Sequence, residues 1–242
     1  IETLCENGYS LTTPPFLMNR EAYEGVVDLT DFEEVMYKIE DHDLYLIATS
    51  EHPITARFKN EIVELKDGPL KFAGISTNFR REVGAHGISD RGIWRVHQFS
   101  KVEQVIICKP EDSKEMHNEI LKNATHIFKK LEIPFRVIDI CTGDIGTVAA
   151  RKFDIEAWMP SSKKWKEVVS ASNCKSYQSV RLNMRYRSQE GTEFPHTLNS
   201  TAVATTRALA AILENNQTDN GDVIIPEVLR KWMGNQEIIE AK

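Results

Sequence analysis

The chain has 242 residues, 41% hydrophobic and 27% charged, with a formal net charge of -6. That is an ordinary globular composition, long enough for one large domain or two small ones and for a core that needs no staples. It excludes a membrane-spanning helix, since no apolar run approaches ~20 residues, and it argues against broad nucleic-acid binding through net charge.

The opening "IETLCENGYS" lacks the basic start and apolar centre of a signal peptide, which predicts a cytoplasmic chain. It reads as the tail of a helix ending at Gly8. Pro14 and Pro15 then keep "LTTPPF" extended. "DLYLIAT" (43–49) reads as a buried strand leading into a helix whose start is marked by Ser50 and Pro53. "LKFAGISTNFRRE" (70–82) and "GIWRVHQFSKVEQVIIC" (92–108) read as long strands. Between 111 and 131, Met116, Ile120, Ala124, Ile127 and Leu131 recur at helical spacing. "FRVIDIC", "FDIEAWMP" and "KWKEVVSAS" are further strands, and "TLNSTAVATTRALAAILENN" passes from strand to an Ala-rich helix. Many strands with few crossover helices predict a mainly antiparallel sheet with helices on one side, an α+β domain. With no repeat or linker, residues 1–242 are taken as one domain.

Cys5, Cys108, Cys141 and Cys174 are scattered without paired spacing, and the seven histidines form no HExxH pair. A disulfide framework and a protein-built zinc site are both disfavoured. Arg181, Arg185 and Arg187 interleave with Tyr186 and read as a solvated strand face rather than a nucleic-acid contact. "TGDIGTVAARK" (142–152) lacks the Lys-Thr ending of a phosphate loop.

Charge concentrates in "NFRREVGAHGISDRGIWRVHQFSKVEQ" (78–104), two extended runs around a Gly-containing loop at 84–91. Strand alternation puts Arg80 and Glu82 on one face of the first run. It puts Arg95, His97, Phe99, Lys101 and Glu103 on one face of the second, opposite Trp94, Val96 and Val102. Arginine forks suit phosphate oxygens, an aromatic ring suits a purine, and carboxylates suit an amine, a hydroxyl or a hydrated cation. A nucleoside triphosphate with an amine-bearing small molecule would satisfy that set. A cross-strand ladder, such as Glu82 with Arg95, explains it equally well.

The stretch "FRREVGAHGISDRGIWRVHQFSKVEQ" resembles motif 2 of class II aminoacyl-tRNA synthetases, in the form found in seryl-tRNA synthetases. The resemblance runs along nearly the whole chain. "GYSLTTPPFL" resembles the end of motif 1 with Pro15 in its proline position, and "TSEHP" resembles the Thr-x-Glu serine loop. "FDIEAWMP" and "KEVVSASNCKSYQSVRLNMRYR" resemble the strands before motif 3, "HTLNSTAVATTRALAAILENNQ" motif 3 itself, and "IPEVLRKWMG" the closing segment.

The resemblance implies the class II catalytic fold and ATP-dependent activation of L-serine to seryl-adenylate, followed by transfer to serine tRNA, with Mg2+ and a homodimer. ATP would be bound by Arg80, Arg81, Glu82, Arg95, Val96, Phe99, Glu167, Val168, Val169, Ser170 and Arg207. Among these, Arg80 would grip the α-phosphate, Arg207 the γ-phosphate and Arg95 a further phosphate. Phe99 would stack on adenine and Glu82 would accept from its amino group. Backbone at Val96, Val168 and Val169 would complete the pocket, and Glu167 and Ser170 would face the magnesium ion. Serine would draw on Thr49, Ser50, Glu51, Arg80, Glu103, Asn199 and Thr201. Arg80, Glu167 and Arg207 would carry the chemistry.

Ser200, Thr205 and Thr206 depart from the bacterial pattern toward the archaeal and eukaryotic one, and Ala171 stands where a cysteine is common. The family's N-terminal coiled-coil arm is not in the sequence, which predicts weakened tRNA binding. Two other readings compete: an armless relative that loads an amino acid onto a carrier protein, and a non-catalytic regulatory relative. The first would want a cysteine metal ligand that has no counterpart here, and the second would be expected to lack the motif arginines.

Overall fold

The computed structural model describes residues 1–82 and 92–241, so the loop expected at 84–91 lies outside the described residues. Among the described residues a seven-stranded sheet is formed by β1 (Ser10–Thr12), β2 (Leu70–Phe79), β3 (Gln98–Cys108), β4 (Phe135–Asp139), β5 (Arg151–Met159), β6 (Lys164–Lys175) and β7 (His196–Ala204). Its order is β1-β2-β3-β7-β6-β5-β4. Every pairing is antiparallel except β1 on β2. The predicted α+β class with a mainly antiparallel sheet is what is observed.

The helices that position the site are α1 (Glu2–Glu6), α2 (Glu51–Ala56), α3 (Ser113–Lys130) and α4 (Thr205–Asn215). In α3, Met116, Ile120, Ala124 and Phe128 are buried at i, i+4 spacing. They cover the sheet face that carries Ile106, Ala171 and Leu198. Gln104 points to that face too, its amide donating to the Ile120 carbonyl at 3.0 Å. Helices were expected on one side only; they lie on both. Gly74 pairs with Glu103 on the face opposite Gln104, and α2 sits directly on Gly74.

That approach requires glycine. A Cβ at Gly74 would lie 2.5 Å from Ser50 Oγ and 2.6 Å from Ile54 Cδ1. Gly74→Ala is therefore expected to lower the melting temperature by the equivalent of about 1–3 kcal/mol, as overpacking of a tight contact does. An unchanged melting curve would show that α2 does not sit this close.

Three expected elements end differently. The strand expected at 43–49 contributes only Tyr45–Leu46, paired with Leu17–Met18. The strand expected at 70–82 stops at Phe79, because Arg81 N–H is diverted to the Val35 carbonyl at 2.9 Å and Glu82 has φ +51°. The strand expected at 92–108 begins at Gln98, after a 3₁₀ turn at Gly92–Trp94. The basic cluster is also split. Arg181 ends a helix (Tyr177–Arg181) and stacks on Tyr177, while Arg185 and Arg187 lie on a strand (Arg185–Ser188) of a separate three-stranded sheet. Among the described residues no helix is long and apolar enough to cross a membrane.

Candidate active site

The face of the sheet that carries α2 opens into a cleft lined by charged, polar and aromatic side chains, the kind of lining that suits a small polar ligand. Its floor is built by strand alternation. Phe99, Lys101 and Glu103 project from β3, Asn199 and Thr201 from β7, and Val168 and Ser170 from β6. A register shift between β5 and β6 at Ile155/Glu156 also brings in Glu167, which alternation alone would turn away. Thr49, Glu51 and His52 close one end from the start of α2. Arg80 enters just past the end of β2, and Arg207 enters from the first turn of α4.

At the α2 end the polar groups form one connected set. Lys101 Nζ lies 2.5 Å from Glu103 Oε2 and donates to Thr49 Oγ1 at 2.8 Å. Thr201 Oγ1 donates to Glu103 Oε2 at 3.3 Å, and Gln178 Nε2 donates to Glu51 Oε1 at 2.9 Å. Burial, then the Glu103 carboxylate, push the Glu51 carboxyl up to about 7. Burial also presses His52 down to about 3, aided by Lys101 and Arg80, so its ring is neutral.

The raised Glu51 pKa is a stability statement. A carboxyl whose folded pKa exceeds its ordinary 4.5 favours the folded state most below that value and loses the contribution as pH rises through about 7. Glu51→Gln is neutral throughout. It is expected to melt like the parent near pH 4.5 and to exceed it at pH 8 by the equivalent of about 3 kcal/mol. Parallel melting-temperature profiles for the two proteins would refute the buried-carboxyl assignment.

At the other end the groups are cationic and aromatic. The Arg80 guanidinium is held by the Ala48 carbonyl at 3.2 Å and lies over Phe99 at 5.4 Å. Burial, then the nearby Arg207 cation, press its pKa down from the usual arginine value. Arg207 Nη1 donates to the Glu167 carbonyl at 3.1 Å and to Oε1 at 3.2 Å, and its guanidinium lies over Trp94. Two arginines against one aromatic floor offer a polyanion a seat, with Glu167 and Ser170 beside it as oxygen donors suited to a hard divalent cation. On β5, burial and the Glu167 carboxylate push Asp154 up to about 6.

Of the residues singled out from sequence, Thr49, Glu51, Arg80, Glu82, Val96, Phe99, Glu103, Glu167, Val168, Ser170, Asn199, Thr201 and Arg207 line this cleft. Four do not. Arg81 is exposed beside the rim, its N–H turned to Val35. Val169 alternates to the opposite face and is buried in the apolar cluster beneath α3. Ser50 is fully buried, its hydroxyl 3.4 Å from the Gly74 carbonyl. Arg95 pairs with Glu82 at 3.0 Å, the pairing anticipated from spacing although both residues lie beyond the strand ends, and reaches the cleft only through that carboxylate. Lys101, Trp94, Phe32 and His52 line the cleft without having been assigned to it. Lys101 was legible, since it shares the strand face of Phe99 and Glu103. Trp94 was placed on the opposite face because residues 92–94 were read as strand.

The sequence matches the family described as "tRNA synthetase class II core domain (G, H, P, S and T)" over residues 34–216. It is 59% identical over 242 residues to the serine–tRNA ligase of Methanospirillum hungatei, covering 99% of this chain and 57% of that protein. It thus spans little more than half the length of such relatives. Among solved structures it resembles seryl-tRNA synthetase from Pyrococcus horikoshii complexed with ATP, with a TM-score of 0.95 and 51% identity over all of this chain and 54% of that one. It also resembles the cytoplasmic serine–tRNA ligase of Naegleria fowleri in complex with AMP. There the TM-score is 0.92 and the identity 43%, over all of this chain and 57% of that one.

Proposed function

The chain belongs to the class II tRNA synthetase core family (G, H, P, S and T), and from that premise we propose that residues 1–242 form the catalytic domain of a serine–tRNA ligase. It activates L-serine with ATP to seryl-adenylate and passes the seryl group to serine tRNA in the cytoplasm. The observation that carries this reading is the single cleft in which an ammonium- and hydroxyl-sized polar end (Thr49, Glu51, Glu103, Thr201) adjoins a phosphate- and purine-sized end (Arg80, Phe99, Arg207).

In the first half-reaction a serine carboxylate oxygen attacks the α-phosphorus and pyrophosphate departs. The step needs position and charge rather than a proton relay. Glu103 receives the serine ammonium, and Glu51 and Thr201 bond the hydroxyl. Arg80 spans the serine carboxylate and the α-phosphate, so it steadies the charge that builds on the phosphate oxygens. Arg207 holds the γ-phosphate and Phe99 stacks under adenine. Glu82 accepts from the adenine amino group, holding it while Arg95 holds Glu82. Glu167 and Ser170 would hold a magnesium ion that neutralises and orients the phosphates.

The proposed homodimer is supported by the edge strand β1, which leaves Leu11 exposed, with Phe16 and Leu17 exposed just beyond it. The testing experiment is ATP–pyrophosphate exchange with a panel of amino acids, followed by charging of serine tRNA. Exchange dependent on serine and on magnesium is the expected result. Exchange with a different amino acid, or none with any, would overturn the reading.

A further inference from the structure

Among the described residues of the cleft, Lys101 is the charged group that no step above uses, and its bonds constrain its neighbours. It is 6% exposed, and a buried ammonium persists where it is paired and hydrogen-bonded, as two of its three protons are here. One goes to Glu103 Oε2 at 2.5 Å and another to Thr49 Oγ1 at 2.8 Å. Thr49 Oγ1 also accepts the backbone N–H of Glu51 at 3.3 Å. A hydroxyl has two acceptor lone pairs and one proton. With both lone pairs occupied, Thr49 has only a donor left for a ligand. Glu103 is limited in the complementary way, because Oε2 already takes Lys101 and the Thr201 hydroxyl. Its remaining acceptor capacity lies mainly at Oε1. The other charged or titratable groups facing Lys101 are Arg80 at the end of β2 and Glu51 and His52 on α2.

Building on the serine-activation reading, we propose that Lys101 is a positioning residue that fixes the hydrogen-bond polarity of the amino-acid end of the cleft. It makes Thr49 a donor to a carboxylate oxygen of the amino acid and turns Glu103 Oε1 to its ammonium. Thr49 therefore does not receive the ammonium, although a threonine beside a carboxylate invites that assignment. Lys101 itself touches no substrate.

The test compares serine with serinol, which keeps the ammonium and hydroxyl and has a neutral hydroxymethyl group in place of the carboxylate. Serine KM is read in ATP–pyrophosphate exchange and serinol Ki as a competitive inhibitor, with folding followed by circular dichroism. Thr49→Val is expected to raise serine KM about tenfold and to leave serinol Ki within about twofold, since a bond to a charged group is lost for serine alone. Lys101→Met is expected to raise both by about tenfold or more through Glu103, with ATP KM within about twofold. The double variant should bind serine about as poorly as Lys101→Met alone, because residues acting as a unit are not additive. If Lys101→Met does not fold, Lys101→Gln is read in its place against the same limits. Equal losses for serine and serinol in Thr49→Val would overturn the proposal, as would an unchanged serine KM at position 101 or multiplicative effects. No serine-dependent exchange in the parent chain would remove the serine reading, and this polarity with it.

Discussion

Arg80→Ala is expected to lower the rate of ATP–pyrophosphate exchange by roughly 10²–10³-fold, the usual loss when one preorganised charge contact to the reacting centre is removed. Arg80 is the guanidinium placed between the two ends of the cleft. It is tethered by the Ala48 carbonyl and by the Phe99 ring, so its direction is set before any ligand arrives. The fold should tolerate its loss. Burial, then like-charge repulsion from Arg207, already press its pKa down, so removing one of two adjacent cations relieves a strain as well as leaving a gap. Arg80→Lys should recover little, because an ammonium cannot fork across two oxygens. Exchange within about tenfold of the parent in a folded Arg80→Ala protein would show that the reacting phosphate lies elsewhere.

Why the strand faces were legible and the turns were not comes down to which interactions set them. Phe99, Lys101 and Glu103 are spaced by two within a regular ladder, so sequence alone placed them on one face, whereas Asn199 and Thr201, equally spaced on β7, entered only through the resemblance. Glu167 and Trp94 depend on departures from regularity. The β5/β6 register shift turns Glu167 inward, and the 3₁₀ turn at Gly92–Trp94 carries Trp94 to the cleft side. Nothing local in "GIWRV" separates a turn from a strand, since Ile, Trp and Val favour strands. Ser50 entered the serine set through the resemblance, and the close seating of α2 on Gly74 turns its hydroxyl into the packing rather than the cleft. The assignment of roles along the cleft came from the resemblance. Spacing alone left the Glu82–Arg95 pair open between substrate contact and salt bridge, and in the structure Glu82 lines the cleft while bonded to Arg95.

Discrimination against alanine should be the largest effect this cleft produces. A pocket that accommodates a hydroxyl only by shape separates it from hydrogen by a small factor. One that hydrogen-bonds it rejects the analogue by roughly 10⁴–10⁵, because its own buried polar groups are left unpaired. The amino-acid end here is of the second kind. Glu51 is half-buried, burial and then the Glu103 carboxylate raise its pKa to about 7, and the Gln178 amide meets one of its oxygens, at 2.9 Å. Thr201, 9% exposed, has its proton engaged by Glu103, which leaves acceptor lone pairs for a substrate hydroxyl. Serine would fit this pair by accepting from the protonated Glu51 carboxyl and donating to Thr201; alanine would leave both dry and unsatisfied. The ratio of kcat/KM for serine over alanine in the exchange assay is therefore expected at about 10⁴. Glu51→Ala should shrink it from the serine side, lowering serine turnover far more than alanine turnover, since alanine never used that carboxylate. A serine preference below about tenfold, or a Glu51→Ala protein that loses both substrates equally, would place the hydroxyl contact outside this pair.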